Sequence, residues 1–358
     1  MDALREGPLS PGPFDVAVIG AGVVGASIAR ELTLRGASCA LLEAGNDVGA
    51  GTSKANTAIL HTGFDTKPGS LEAKLVTRGY ELLSEHAERV GIPAAAIGAL
   101  LVAWTPEQAE ALPGIAENAQ QNGVRVRRVG VDELYRREPS LGPGAQGGLE
   151  VPAEGILCPF TASLAFATEA VLGGAALAPR AEVAGVSAAT GGDGARLHRL
   201  RTARGDVKAR FLVNAAGLRS DEVNAMLGHG EFEVRPRRGE LIVYDKLASG
   251  LLHHVLLPVP TAKTKGVLVS PTAYGNVLLG PTADDVPSKT DRSTTADGLA
   301  SLLEQGERIL PGLGAHEVTA TYVGLRAATA DSDYQLRFHP EQSYVCVGGI
   351  RSTGVTAS

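Results

Sequence analysis

FDVAVIGAGVVGASIARELTLRG, residues 14–36, is the stretch that decides the fold. Phe14 to Ile19 is a short β-branched, apolar run, the pattern of a buried strand. Gly20 to Gly25 (GAGVVG) breaks it. Ala26 to Arg35 then has helical composition and apolar spacing, and Gly36 ends that helix. Ser38 to Leu42 reads as a second buried strand, finishing at Glu43. The segment is therefore one βαβ unit. A GxGxxG sequence alone says little. Here it follows a strand, opens a helix and is answered by an acidic residue at the end of the next strand.

Each residue type in this unit has a physical task. Gly20 permits the tight turn, Gly22 lets backbone approach a pyrophosphate, and Gly25 allows close helix–strand packing. The helix start offers unpaired N–H groups to phosphates. Glu43 can accept hydrogen bonds from a ribose diol, and its charge disfavours a 2′-phosphate and hence NADP. The choice between NAD and FAD turns on two further segments. Gly49 to Thr57 (GAGTSKANT) supplies small residues, hydroxyls in Thr52 and Ser53, and the Lys54 cation just beyond the ribose-binding carboxylate. Asn214-Ala215-Ala216-Gly217 closes a later strand, and Ala216 and Gly217 let backbone pass close to a ligand. A long dinucleotide needs such additional contacts, which favours FAD. A colourless, nicotinamide-dependent dehydrogenase is the alternative.

Working outward, helices are expected near 70–90, 106–121, 131–137 and 161–172, with strands at 99–104, 209–213 and 345–347. Residues 145–155 read as turns, 181–210 as a small antiparallel meander, and 231–325 as alternating strands that include 240–244, 266–270 and 276–279. Residues 1–13 read as a flexible tail. No repeat appears. With 358 residues, one large domain or two are expected. The net charge of -6, the absence of a long basic run and an aromatic content of only 4% argue against nucleic-acid binding. Cys39, Cys158 and Cys346 are too few and too scattered for a disulfide framework or zinc site, so no metal is expected and reduced thiols in a cytoplasmic protein are. No signal peptide or membrane-spanning run is visible.

Taken together, VIGAGVVGASIARELTLRG with Glu43, GTSKANTAILHTGFDTKPGSLEAKL, VNAAG, PRRGE, GVLVSPT with GNVLLGPTADDV, and VGLRAATADSD with VGGIRSTGVTAS resemble the D-amino-acid-oxidase-type flavoprotein superfamily. Within it, the chain is similar to FAD-dependent glycerol-3-phosphate dehydrogenases and L-2-hydroxyglutarate oxidases. The resemblance spans residues 15–358. It implies an α/β fold: a Rossmann-type FAD-binding domain assembled from 14–85, 155–230 and 325–358, with an inserted α+β substrate domain on an antiparallel sheet, 86–154 and 231–324. It implies that Thr52, Ser53 and the segment through His61 run beside the isoalloxazine, that Val183 meets the adenine end, and that Gly349 to Thr353 reach the pyrimidine side. Family members continue past the last motif into a helix that packs on the cofactor domain.

The same resemblance implies the chemistry. Oxidising a secondary alcohol needs a base for the hydroxyl proton and fixed cations for an anionic substrate. His61 is the candidate base. Arg326 and Arg351 stand where relatives clamp a carboxylate or phosphate, and Lys265 is a further candidate. Arg237 and Arg238 suit either a pocket or a basic turn. The adjacent His253 and His254 receive no role. The expected reaction transfers hydride from an anionic 2-hydroxy compound, glycerol 3-phosphate before L-2-hydroxyglutarate, to the flavin and on to a quinone, a carrier protein or oxygen. A peripheral contact with the inner membrane face is compatible with this. The alternatives are a sarcosine- or glycine-type amine oxidase and a non-catalytic flavin-binding fragment.

Overall fold

The computed structural model describes residues 12–192, 194–260 and 266–358. Lys265 and residues 1–11 of the expected tail lie outside the described residues. The opening unit forms as a strand, β1 (Phe14–Ile19), a helix, α1 (Val23–Leu34), and a second strand, β2 (Cys39–Leu42). From Val16 on in β1, and throughout β2, the strands are apolar on both faces because both faces are covered, as in a parallel sheet. β1 runs parallel to β2 on one side and to strand Gly205–Asn214 on the other. Strands Ala176–Ala178 and Tyr344–Gly348 extend the parallel array. The meander expected over 181–210 forms as strands Val183–Thr190 and Arg196–Thr202, antiparallel to one another and to Gly205–Asn214. Together with Gln335–His339 they complete an eight-stranded sheet.

A second, nine-stranded sheet carries the remainder. Its pairings are antiparallel except where Val255–Pro258 runs beside Ala99–Ala103. The long pair Arg235–Tyr244 and Val318–Ala328 forms one end of it. Two expectations fail here. Residues 145–155 hold a buried strand, Gly147–Val151, inside what reads as turns. Its glycines are needed for contact, because a Cβ on Gly148 would stand 2.3 Å from the Leu101 carbonyl oxygen. Within the stretch read as strands, Ala296–Ile309 is a helix, capped by Thr295, whose hydroxyl accepts from Gly298 N–H. Leu302 and Ile309 of that helix are buried in the second sheet's core.

A small third sheet joins the two regions. Ile59–Leu60 pairs antiparallel with Gly155–Leu157, in the register Leu60 opposite Gly155. The three cysteines are free and buried. No helix among the described residues is long and apolar enough to cross a membrane.

Candidate active site

The glycine turn is built by backbone contacts that side chains would destroy. Gly20 has φ +99°, and a Cβ there would lie 2.4 Å from the Ala215 carbonyl oxygen. A Cβ on Gly25 would lie 1.8 Å from the Gly20 carbonyl oxygen, so α1 packs onto the turn only because residue 25 has none. At the α1 start, Val23 N–H donates to Ser53 Oγ at 2.9 Å, which ties the second loop to the first. Glu43 accepts from Ala21 N–H at 2.8 Å and Gly45 N–H at 2.7 Å, one bond per oxygen. A carboxylate offers about four lone-pair sites, so capacity remains for a diol. Thr52 Oγ1 donates to the Leu325 carbonyl at 2.7 Å and fixes the loop to the second sheet.

These elements converge on a cavity of about 950 Å³. It opens at the carboxyl ends of the parallel strands, where ligands of such sheets bind, and is roofed by the second sheet. Gly20, Gly22, Glu43, Thr52, Ser53, His61, Ala216, Gly217, Arg326 and Arg351 all line it. Gly25 lies beneath the turn. Val183 sits buried in the core of the parallel sheet, and neither it nor Gly349 belongs to the lining, although Ile350 does. Gly51 and Gly217 line the cavity with no protein atom within 4 Å of where a Cβ would stand, so bare backbone faces the space. Bare glycines, a helix N-terminus, a ribose-type carboxylate and a long cavity fit an adenine dinucleotide.

His61 occupies the wall between the two large sheets. Its Nδ1 lies 2.9 Å from Oε1 of Glu154, whose side chain is completely buried. The other oxygen of Glu154 accepts from Thr62 N–H at 2.9 Å and Thr62 Oγ1 at 2.7 Å. The strand register explains the meeting: with Leu60 opposite Gly155, the next residues along, His61 and Glu154, are brought side by side.

The two expected arginines differ. Arg326, on strand Val318–Ala328, directs both terminal nitrogens to one backbone carbonyl, Thr282, at 3.3 Å. Among the described residues no carboxylate forms an ion pair with it. Burial, reinforced by Arg237 opposite it in the register and partly offset by Asp284, pushes its guanidinium down to about 10. Gly239 makes room for it, since a Cβ there would stand 2.7 Å from an Arg326 nitrogen. Arg351 is already engaged: it donates to the Ser332 carbonyl and lies 3.7 Å from Glu72. Arg237 also lines the cavity, 3.2 Å from Asp285, whereas Arg238 turns away toward buried Glu240. His254 joins a separate cluster with Glu138 and Arg137. Glu154 has no counterpart in the sequence reading. It lies in a turn with no motif around it, and only strand register brings it to His61.

The family model described as FAD dependent oxidoreductase matches residues 15–358. A glycerol 3-phosphate dehydrogenase of Caloramator mitchellensis is 34% identical over 347 residues, 96% of this chain and 71% of that protein. The human mitochondrial L-2-hydroxyglutarate dehydrogenase is 28% identical, over 76% of this chain and 62% of its own length. The dithionite-reduced, FAD-bound L-alpha-glycerophosphate oxidase of Mycoplasma pneumoniae superposes with a TM-score of 0.89 at 28% identity, over 96% of this chain and 91% of that one. The chain belongs to the FAD-dependent oxidoreductase family of D-amino-acid-oxidase type, and its cofactor is FAD.

Proposed function

We propose that this FAD-dependent oxidoreductase oxidises the secondary alcohol of an anionic 2-hydroxy compound, glycerol 3-phosphate first and L-2-hydroxyglutarate or a similar acid second. The observation that carries this reading is Arg326: a half-buried arginine on the cavity wall whose fork meets a single carbonyl. Five donors on one half-buried cation call for an anion, and a bidentate carboxylate or phosphate matches the fork. Arg237 stands directly opposite Arg326. Like charges in cross-strand positions repel, and a dianionic phosphate placed by both offsets that better than a monoanion. The relative from Caloramator, named for glycerol 3-phosphate, favours the same choice.

The chain's residues divide the work. Gly20, Gly22 and the α1 N-terminus hold the pyrophosphate, Glu43 the ribose, and Thr52, Ser53, Ala216 and Gly217 the remaining length. Gly349 contributes through its neighbour Ile350, whereas Val183 stays in the core. FAD, when bound, supplies the acceptor for the carbinol hydride. Arg326 orients the substrate anion, and Arg351, held by Glu72, supports it. His61 takes the hydroxyl proton at Nε2, while Glu154 fixes the ring from the Nδ1 side and stabilises the imidazolium that forms. Segments 14–85, 155–230 and 325–358 form the cofactor domain, and 86–154 with 231–324 the substrate domain. Electrons then leave to a quinone, a carrier or oxygen.

Anaerobic mixing of the FAD-loaded protein with glycerol 3-phosphate, L-2-hydroxyglutarate and sarcosine tests this. Flavin bleaching by either hydroxy compound supports the reading. Bleaching by sarcosine alone transfers the protein to the amine oxidases, and no bleaching by any of the three removes the proposal.

A further inference from the structure

Away from the cavity, three metal-ligating side chains converge on the far side of the parallel sheet. His229 and Glu231 lie in the segment after helix Ser220–Met226, and His339 ends strand Gln335–His339. Glu231 Oε1 is 3.4 Å from His229 Nδ1 and 3.6 Å from His339 Nε2. All three donor atoms lie within 4.8 Å of one another.

Each ligand is held so that its donor atom faces the meeting point. Gln342 Oε1 stands 2.9 Å from His229 Nε2. That contact holds the ring from behind, with Nδ1 turned toward the Glu231 carboxylate. His339 Nε2 is buried and makes no hydrogen bond. The other oxygen of Glu231 is held by Asn224 Nδ2 at 2.6 Å. Two imidazoles and a carboxylate, each braced from behind by an outer hydrogen bond or by packing, form the donor set of a divalent transition-metal site. Metal–ligand lengths of about 2.0–2.1 Å set tetrahedral donor separations near ~3.3 Å, close to the two edges observed.

We propose that His229, Glu231 and His339 bind one zinc-class dication, with water completing the coordination. The two imidazoles are stacked, with centroids 3.6 Å apart. Binding therefore splays them, and the ion ties the segment after helix Ser220–Met226 to the hairpin that ends in Tyr344–Gly348. That hairpin is linked onward: Asn224 accepts from the Tyr344 hydroxyl at 2.9 Å, and Asn214 of the VNAAG segment donates to the same hydroxyl at 3.0 Å. The ion thus stabilises the strand that leads into the cavity residues Ile350 and Arg351, without touching substrate.

The test is equilibrium dialysis of chelator-treated, FAD-loaded protein against zinc, with Co²⁺ as the spectroscopic probe. One zinc per chain at micromolar free metal, and intensified visible Co²⁺ bands, are expected. Gln342→Ala lowers zinc affinity about 10–100-fold through the lost outer-shell bond, with FAD retained. The double substitution His229→Gln, His339→Gln abolishes stoichiometric uptake. Wild-type protein that takes up no zinc at micromolar concentrations, or uptake undiminished in the double variant with its flavin intact, overturns the proposal.

Discussion

The two ends of the cavity are made of different material. At the dinucleotide end, contacts are backbone contacts: Gly20, Gly25 and Ala215 meet carbonyl to Cα, and Val23 is held by Ser53. At the substrate end, contacts are made by side chains reaching between strands: His61 with Glu154, and Arg326 with the Thr282 carbonyl. A backbone cradle tolerates no added atom but has little chemistry to lose. A side-chain cluster accepts isosteric change but loses its chemistry one group at a time. The expected consequences of substitution separate accordingly.

Gly25→Ala carries the largest expected effect. The methyl would stand 1.8 Å from a carbonyl oxygen that is part of the turn itself, so backbone must move. Overpacking of this kind costs up to ~3 kcal/mol or more. The variant is expected to purify without flavin and to unfold at clearly lower urea. Near-normal flavin content would mean that α1 can shift, and the cradle would be softer than the contrast requires.

Arg326→Met comes next. FAD stays bound, while kcat/KM for the anionic substrate falls roughly 10³-fold, in the range for losing a desolvated charge partner. Arg326→Lys keeps charge without the fork and recovers only part of this. The same residue gives a pH signature. Its guanidinium, pushed down to about 10, is charged below that pH and loses charge as pH rises through it. KM should therefore climb above about pH 10 in the wild type and be flat there in Arg326→Met. Equal pH profiles would place the anion elsewhere on the wall.

Glu154→Gln tests the other side-chain contact. The volume is kept and Thr62 retains an acceptor, so stability changes little. His61 loses the carboxylate that stabilises its imidazolium, and flavin reduction by substrate should slow about 10²-fold, the low end of the usual worth of a positioned acid–base group, with KM little changed. A purely structural Glu154 would instead lower melting temperature and leave the reduction rate alone.

The contrast also explains what the amino-acid order reveals. The backbone cradle is local: residues 14–54 contain the strand, turn, helix, second strand and acidic partner, so periodicity and glycine placement are enough. Glu154 meets His61 only through the register of two short strands far apart in sequence, and nothing near VPAEG points to it. Strand Gly147–Val151 was hidden because the glycines needed for close approach to Leu101 are also turn residues. Helix Ala296–Ile309 did carry a signal in its Thr295 cap and in the spacing of Leu299, Leu302, Gly306 and Ile309, but it lies among strands and its composition is polar. Arg326 and Arg351 look alike in sequence. Only their partners, a lone carbonyl against Glu72 and Ser332, separate them.

Ser53→Ala should have the smallest effect, and it probes the boundary between the two kinds of construction. Ser53 is a side chain acting within the backbone cradle, its Oγ accepting from Val23 N–H in the first turn of α1. Alanine leaves that N–H without its partner, a loss comparable to removing a helix cap, about 1 kcal/mol. FAD restores part of it when its own acceptors reach the helix start, so the loss should be larger in flavin-free protein than in the loaded form. Urea melts of both forms measure this difference. Equal losses would show that the α1 N-terminus contributes nothing to holding the dinucleotide, and the cradle would then rest on Glu43 and the bare glycines alone.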